Sequence, residues 1–169
     1  MLAAVYAAAH GLRITCARPY SHAGPGQRPL FLLSNLSRQA AQARRDGRAT
    51  LQAVTGNPDT RRDFTDARDV ARAYRLMSAL DVTPGSMEIY NVCSGRSIST
   101  VEQVETLARL LDPIAVEHVV DPARVRPSEV MELRGNPAKL TAATGWQPRI
   151  AFGQTMADTI AWWERELAE

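Results

Sequence analysis

The feature that most limits the fold is a change of period that keeps repeating along the chain. Short β-branched or apolar runs give way to stretches whose apolar residues recur every three or four positions. GLRITCARPYS, entered through Gly11 and stopped by Pro19, reads as a buried strand, and MEIYNVCS at 87–94 reads as a second. Shorter strands are expected around Leu51 to Val54 and from Ile114 to Val120, the latter ended by Asp121 and Pro122. Strand and helix in alternation predict an α/β chain with a parallel sheet.

The helices between these runs carry their own punctuation. Residues 1 to 10 are Ala-rich and read as the tail of a helix, so that the chain starts abruptly, like the last part of a βαβ unit. After the Gly- and Pro-rich loop SHAGPGQRP, the residues Leu32, Leu33, Leu36, Ala40 and Ala43 share one helical face. Ser99 with Glu102 forms a capping-box pattern ahead of Val101, Val104, Leu107 and Leu111. Asn136-Pro137 opens a helix that Gly145 stops, and Phe152, Met156, Ile160, Trp163 and Leu167 define a final one.

TRRDFTDARDVARAY, at 60–74, concentrates the charged chemistry. Arg62 is expected at a strand or loop edge, where a guanidinium can fork onto two oxygens of a phosphate or carboxylate. Asp66 and Asp69 offer an N-cap and a first-turn acid to a helix with Val70, Ala73, Met77 and Leu80 on one stripe. An Arg–Asp pair tying a loop to a helix end is the structural alternative, and it stays open on these residues alone.

Bulk properties narrow the class. A chain of 169 residues has room for one core and is short for two ordinary domains, so a single unit spanning 1–169 is expected. A net charge of +2, evenly spread, does not call for nucleic acid. No apolar run is long enough to span a bilayer, and MLAAVYAAAH lacks the basic start of an export signal. Cys16 and Cys93 each sit in an apolar run, as buried reduced thiols do, which fits a cytoplasmic protein.

Several chemistries are excluded within these residues. No Gly-x-Gly-x-x-Gly or related phosphate-cradling turn occurs, and no serine nucleophile elbow. Lys139 is the sole lysine, and none of Tyr6, Tyr20, Tyr74 or Tyr90 stands four residues before it, so a Tyr-x-x-x-Lys pair is ruled out. His10, His22 and His118 show no metal-ligand spacing. What remains is a set of anion binders: Arg38, Arg62, and DPARVRPSEV with Arg124, Arg126 and Glu129. Two guanidiniums from separate segments suit a pyrophosphate, and Glu129 could accept from ribose hydroxyls. Surface ion pairing is the competing reading.

As a set, RPYSHAGPGQ, RRDFTDARDV, YNVCSGR, DPARVRPSEV and GNPAKLTAATGWQP resemble, in order and spacing, the C-terminal half of extended short-chain dehydrogenase/reductases of the NAD-dependent epimerase/dehydratase superfamily. The resemblance covers essentially the whole chain and is closest to the GDP-sugar branch, the GDP-6-deoxy-4-keto-hexose reductases and GDP-mannose 4,6-dehydratases. It implies the last strands of a Rossmann-like parallel sheet plus a small mixed α/β substrate-binding domain, with the N-terminal Rossmann half absent. In that family the other half carries the glycine-rich NAD(P) turn and the catalytic residues. The resemblance therefore implies no catalytic residue in this chain, and NAD(P) bound by the complete family enzyme but not by this chain alone.

Position by position, the resemblance makes Arg62 the arginine that contacts the nucleotide phosphates, and Arg126 and Glu129 the pair that holds the nucleotide. Arg38 matches an arginine of the dehydratases. His22 matches a histidine near the nicotinamide end of the cofactor, and Gln27 stands where dehydratases place an arginine towards NADP. Ser21 replaces the usual asparagine that contacts the sugar, losing an amide that both donates and accepts. Asn35 replaces a dehydratase lysine, and with GPGQ and YNVCSGR it favours the reductase side.

The expected partners are a GDP-sugar and, for a split enzyme, a complementing chain that carries the Rossmann half. Without that half, LRITCA and MEIYNVC would present an open apolar edge and make the chain prone to stick. Besides an enzyme portion, two alternatives are a stand-alone nucleotide-sugar-binding module and an inactive remnant.

Overall fold

A computed structural model describes residues 2–126 and 128–168. Met1, Glu169 and Pro127, the last within the RPSEV run, lie outside the described residues.

Helix α1 (Leu2–His10) leads into β1 (Ile14–Pro19), which pairs in parallel with β5 (Met87–Val92), Ile14 opposite Met87 and Pro19 opposite Val92. Pro19 ends the strand, as expected, but does not end its pairing. It takes the last β1 position, the amide of Tyr20 still donates to the Val92 carbonyl at 3.0 Å, and the chain then crosses into β2 (Ser21–Ala23) of another sheet. Nor is β1 buried. Its residues are half-buried or exposed, Cys16 among them, because only β5 pairs with it among the described residues. Leu2, Val5 and Tyr6 of α1 and Leu12 after it are also exposed.

The organising strand is β4 (Arg61–Asp66), which pairs with three others. It runs parallel to β2, with Ser21 opposite Phe64, antiparallel to β6 (Ser97–Ser99), and parallel to the two-residue β8 (Glu132–Leu133). Arg62 is thus inside a strand rather than at its edge. A third pair, β3 (Thr50–Thr55) with β7 (Ala115–Val120), is also parallel.

Local signals explain the helix ends. Asp66 caps α3 (Ala67–Met77) by accepting from the Arg68 amide at 2.9 Å. Leu80 of the predicted stripe falls beyond that helix but still packs against its core. The capping box of α4 (Thr100–Leu111) closes both ways: Ser99 Oγ accepts from the Glu102 amide at 3.0 Å, and Glu102 accepts from the Ser99 amide at 2.7 Å. Gly145, at φ 68°, ends α5 (Ala138–Thr144) in the left-handed conformation that a Cβ disfavours.

Two cores result. One joins α2 (Leu32–Arg45), β3, α4 and α6 (Phe152–Glu166) through Leu33, Leu36, Ala40, Leu51, Leu107, Leu111, Met156 and Ile160. The other joins α3, β5 and α5 around a fully buried Trp146. β4 contacts α6 of the first core and α3 of the second, so the Arg62 strand is tied to both.

Candidate functional site

Alternation along β4 sorts its side chains. Asp63 and Thr65 turn inward and are buried, while Arg62 and Phe64 share the opposite face. Arg62 Nη1 donates to its neighbour's carbonyl, Arg61 O, and to the carbonyl of Val130, both at 2.8 Å. The guanidinium therefore stands one residue from Glu129, on a backbone that it helps to hold. The structural alternative for Arg62 is answered in part: the Asp66 carboxylate pairs with Arg68, and Arg62 has no carboxylate partner among the described residues.

The segment that carries Arg126 and Glu129 is pinned at both ends. At its start, Arg124 pairs with Asp121 at 3.1 Å and donates to Val54 O at 3.2 Å, so the expected anion binder Arg124 is spent on structure. Gly56 lies so close to this turn that an added Cβ would stand 2.7 Å from Arg124 O. At its end, the amide of Arg61 donates to Met131 O at 2.7 Å, and β8 joins β4. Between these anchors Arg126 is exposed with no ion-pair partner among the described residues, and Glu129 Oε2 is buried without a hydrogen-bond partner. An orphaned buried carboxylate oxygen is a vacant acceptor.

Further along the same face, Phe64 lines a cavity of about 590 Å³ whose wall includes Ser21, His22, Gly24, Gln27 and Phe31. Of its other lining residues only Tyr20 carries a polar side-chain group, and the lining has no arginine, lysine or carboxylate. Gln27 ties the loop into a ring: its Nε2 donates to His22 O at 3.0 Å, its own carbonyl accepts from Ser34 Oγ at 2.5 Å, and its Oε1 is left buried and unpartnered. His22 Nδ1 lies 3.1 Å from Tyr20 O.

The structure brings Ser21, His22 and Gln27 together at the cavity and, at the other end of β4, sets Arg62 against the Val130 carbonyl beside Glu129, with Arg126 three residues earlier on the same segment. It does not bring Asn35 or Arg38 to either. The Asn35 amide donates to Pro29 O at 3.0 Å and accepts from Gln39, so it fixes the loop rather than facing the cavity. Arg38 lies over the Trp163 ring at 6.0 Å, with its Nε buried and unpartnered.

Sequence reasoning missed Asp63 as the keystone of the site. Fully buried, it accepts from the Ser94 amide and hydroxyl at 2.7 and 2.6 Å, from the Gly95 amide at 2.9 Å and from the Gly135 amide at 3.1 Å. The conjunction of RRDF with YNVCSGR and RGNP was the available signal, but nothing in the spacing says that three separate segments meet on one carboxylate. Beside it, burial and the charge of Asp63 push the Cys93 thiol up to about 11, against the pull of the Gly95 amide. Cys93 is thereby kept a neutral, inert thiol.

In sequence and overall fold the chain is similar to known proteins. The family model described as GDP-mannose 4,6 dehydratase matches residues 1–159. GDP-6-deoxy-D-mannose reductase of Pseudomonas aeruginosa is 38% identical over 160 residues, covering 94% of this chain and 51% of that protein. GDP-mannose 4,6-dehydratase of Yersinia enterocolitica is 23% identical over 170 residues, covering 84% of this chain and 44% of that one. The structure of RMD from Pseudomonas aeruginosa complexed with NADPH superposes with a TM-score of 0.83 at 35% identity, over 98% of this chain and 53% of that chain. This chain spans about half the length of the relatives it matches, and its α/β arrangement is that of the C-terminal part of an extended short-chain dehydrogenase/reductase. Sequence and fold agree, and the chain belongs to the GDP-mannose 4,6 dehydratase family.

Proposed function

We propose that this chain is the sugar-nucleotide-binding portion of a GDP-4-keto-6-deoxy-hexose reductase, with the base and diphosphate on the Arg62–Arg126–Glu129 cluster and the sugar directed towards Ser21. The observation that carries the reading is the shared face of β4. Arg62 and Phe64 are two residues apart, about 7 Å along a strand, and this sets a cationic end and a neutral cavity side by side. A nucleotide sugar has that polarity: two phosphates, then an uncharged ring. Arg62 and Arg126 supply the forked donors that a diphosphate takes, and the orphaned Glu129 Oε2 is an acceptor for a ribose or base N–H or O–H group. The reductase side is favoured by 38% identity to GDP-6-deoxy-D-mannose reductase against 23% to the Yersinia dehydratase, and by Asn35 at the lysine position.

The family implies NAD(P), and the residues present fit one end of it. The unpartnered Gln27 Oε1 at the cavity wall is an acceptor for an amide such as a nicotinamide carboxamide, whereas the lining offers no cation for a pyrophosphate. A bound nicotinamide would supply or accept the hydride. The chain's own residues shape and dry the cavity through Phe31, Leu33 and Phe64 and orient the ring edge through the Gln27–His22 loop. Within these 169 residues there is no Tyr-x-x-x-Lys pair to move the sugar's proton.

Calorimetric titration with GDP, with UDP as control, tests this function. Saturable GDP binding that weakens about tenfold or more in Arg126→Ala is expected, since Arg126 is exposed and makes no ion pair among the described residues. A folded chain with no affinity for GDP, or equal affinity for UDP and for the variant, would overturn it.

A further inference from the structure

A second cavity, of about 340 Å³, lies beyond Phe64, the one residue that lines both. Its floor is apolar, from Phe64, Phe152, Ile98 and Ile150, with the two phenyl rings 5.5 Å apart. Its polar wall includes two guanidiniums from distant segments, Arg96 and Arg149. Neither makes an ion pair or a side-chain hydrogen bond among the described residues, whereas most other arginines packed near them do.

Acids do lie nearby, so the missing pairs need a reason. Asp69 is buried and its oxygens are occupied, Oδ1 by Arg72 at 2.6 Å and Oδ2 by the amides of Arg149 and Ile150 at 2.8 and 2.9 Å. Asp63 is filled by four donors, as described above. Asp66 is filled by Arg68 and by the Thr155 hydroxyl at 2.7 Å. The local carboxylates are consumed inside the fold, and the two arginines are left over at the cavity with uncompensated charge.

Their backbones are nonetheless fixed. Asp69 holds the Arg149 amide, and Ser94 Oγ, its proton given to Asp63, accepts from the Arg96 amide at 3.1 Å. Cations on a set frame above an apolar floor form a pre-organised receptor for a ligand with an anionic head and an apolar body.

We infer that Arg96 and Arg149 form a phosphomonoester-binding site, separate from the proposed GDP-sugar cluster, that seats an aromatic or aliphatic body on Phe64 and Phe152. The charge argues for phosphate over carboxylate. A phosphomonoester carries about −1.5 to −2 at neutral pH and three acceptor oxygens, which matches two forked guanidiniums. A single carboxylate would leave one of them uncompensated.

The probe is phenyl phosphate, titrated into the chain and followed by amide chemical shifts. Saturable binding is expected, with the shifts centred on 96–98 and 149–152, and with benzoate and inorganic phosphate each binding more weakly. Arg96→Gln with Arg149→Gln should weaken it about tenfold or more, and either change alone by a smaller factor. Both side chains are exposed and unpaired, so the variants keep the parent's thermal midpoint. Arg126→Ala, which reads the GDP-sugar cluster, should leave phenyl phosphate binding unchanged, so the two sites fail separately. Binding that survives the double substitution, shifts centred on Arg62 and Arg126, parity with benzoate, or no saturable binding by the folded chain would each overturn the inference.

Discussion

Asp63 and Gly135 are joined by a hydrogen bond of 3.1 Å from the glycine amide to Oδ2, and it closes the Arg126–Glu129 segment onto the strand that carries Arg62. The same oxygen takes the Gly95 amide, and Oδ1 takes both donors of Ser94. Every partner is a donor, so both carboxylate oxygens serve as acceptors. Asp63→Asn keeps the shape but turns an NH2 group towards N–H groups, leaving buried donors unpaired. The expected cost is about 2–4 kcal/mol, read as a lower denaturant midpoint with an unchanged slope. GDP affinity should fall with it, because the segment loses its anchor.

Gly135 is required for a reason beyond that bond. A Cβ there would stand 2.8 Å from Cys93 Cβ and 2.9 Å from Tyr20 Cε2, and closer still to Cys93 Sγ. Cys93 is buried just past β5 and the Tyr20 ring stands just past β1, so neither is a flexible tip. Gly135→Ala should therefore destabilise by about 3 kcal/mol through overpacking, measured by thermal unfolding, although the position looks from sequence like an ordinary loop glycine.

Much of the framework was legible. The apolar spacing of Leu33, Leu36, Ala40 and Ala43, the Ser99–Glu102 box and the Gly145 stop are local signals, decided within a few residues, and the structure follows them. Pro19 marked the end of β1, but the exposure of that strand was not legible, because it depends on which neighbours cover it and no local signal names them. β6 and β8 were invisible for the same kind of reason, since a strand of two or three residues exists only where β4 has edges to offer. The Arg62–Val130 bond and the four-donor Asp63 are contacts across 68 residues and more than 30, which no periodicity encodes.

Asp66 predicts an acid limb in stability. Burial pushes its carboxyl up, but the Arg68 guanidinium, the Thr155 hydroxyl and the Arg68 amide together outweigh that and hold it below the usual value of 3.8. A lowered folded-state pKa means stabilisation that is complete above the unfolded value and is lost as pH falls through the folded one. The wild-type chain should lose this share progressively below about pH 4, and Asp66→Asn should flatten that limb while costing stability at neutral pH. Urea midpoints followed from neutral to acid pH for both proteins measure it; parallel curves would rule the linkage out.

The C-terminal helix is wired to the cavity. Trp163 Nε1 donates to Ser34 Oγ at 3.1 Å, Ser34 donates to the Gln27 carbonyl, and Gln27 Nε2 donates to the His22 carbonyl. Three bonds thus lead from α6 to the loop that forms the cavity wall, and Ser34 is fully buried, so water cannot easily replace a lost partner. Trp163→Phe keeps an apolar ring under Arg38 but removes the only donor of the indole. Ser34 then retains its bond to Gln27 and loses its orienting partner, a change worth about 1 kcal/mol. Ser34→Ala removes the middle link and releases the Gln27 carbonyl. Amide exchange at 22–27 should accelerate modestly in Trp163→Phe and strongly in Ser34→Ala, with exchange in the β3–β7 pair unchanged in the first. Uniform acceleration across both regions in Trp163→Phe would mean that the indole acts through general packing and not through this chain of bonds.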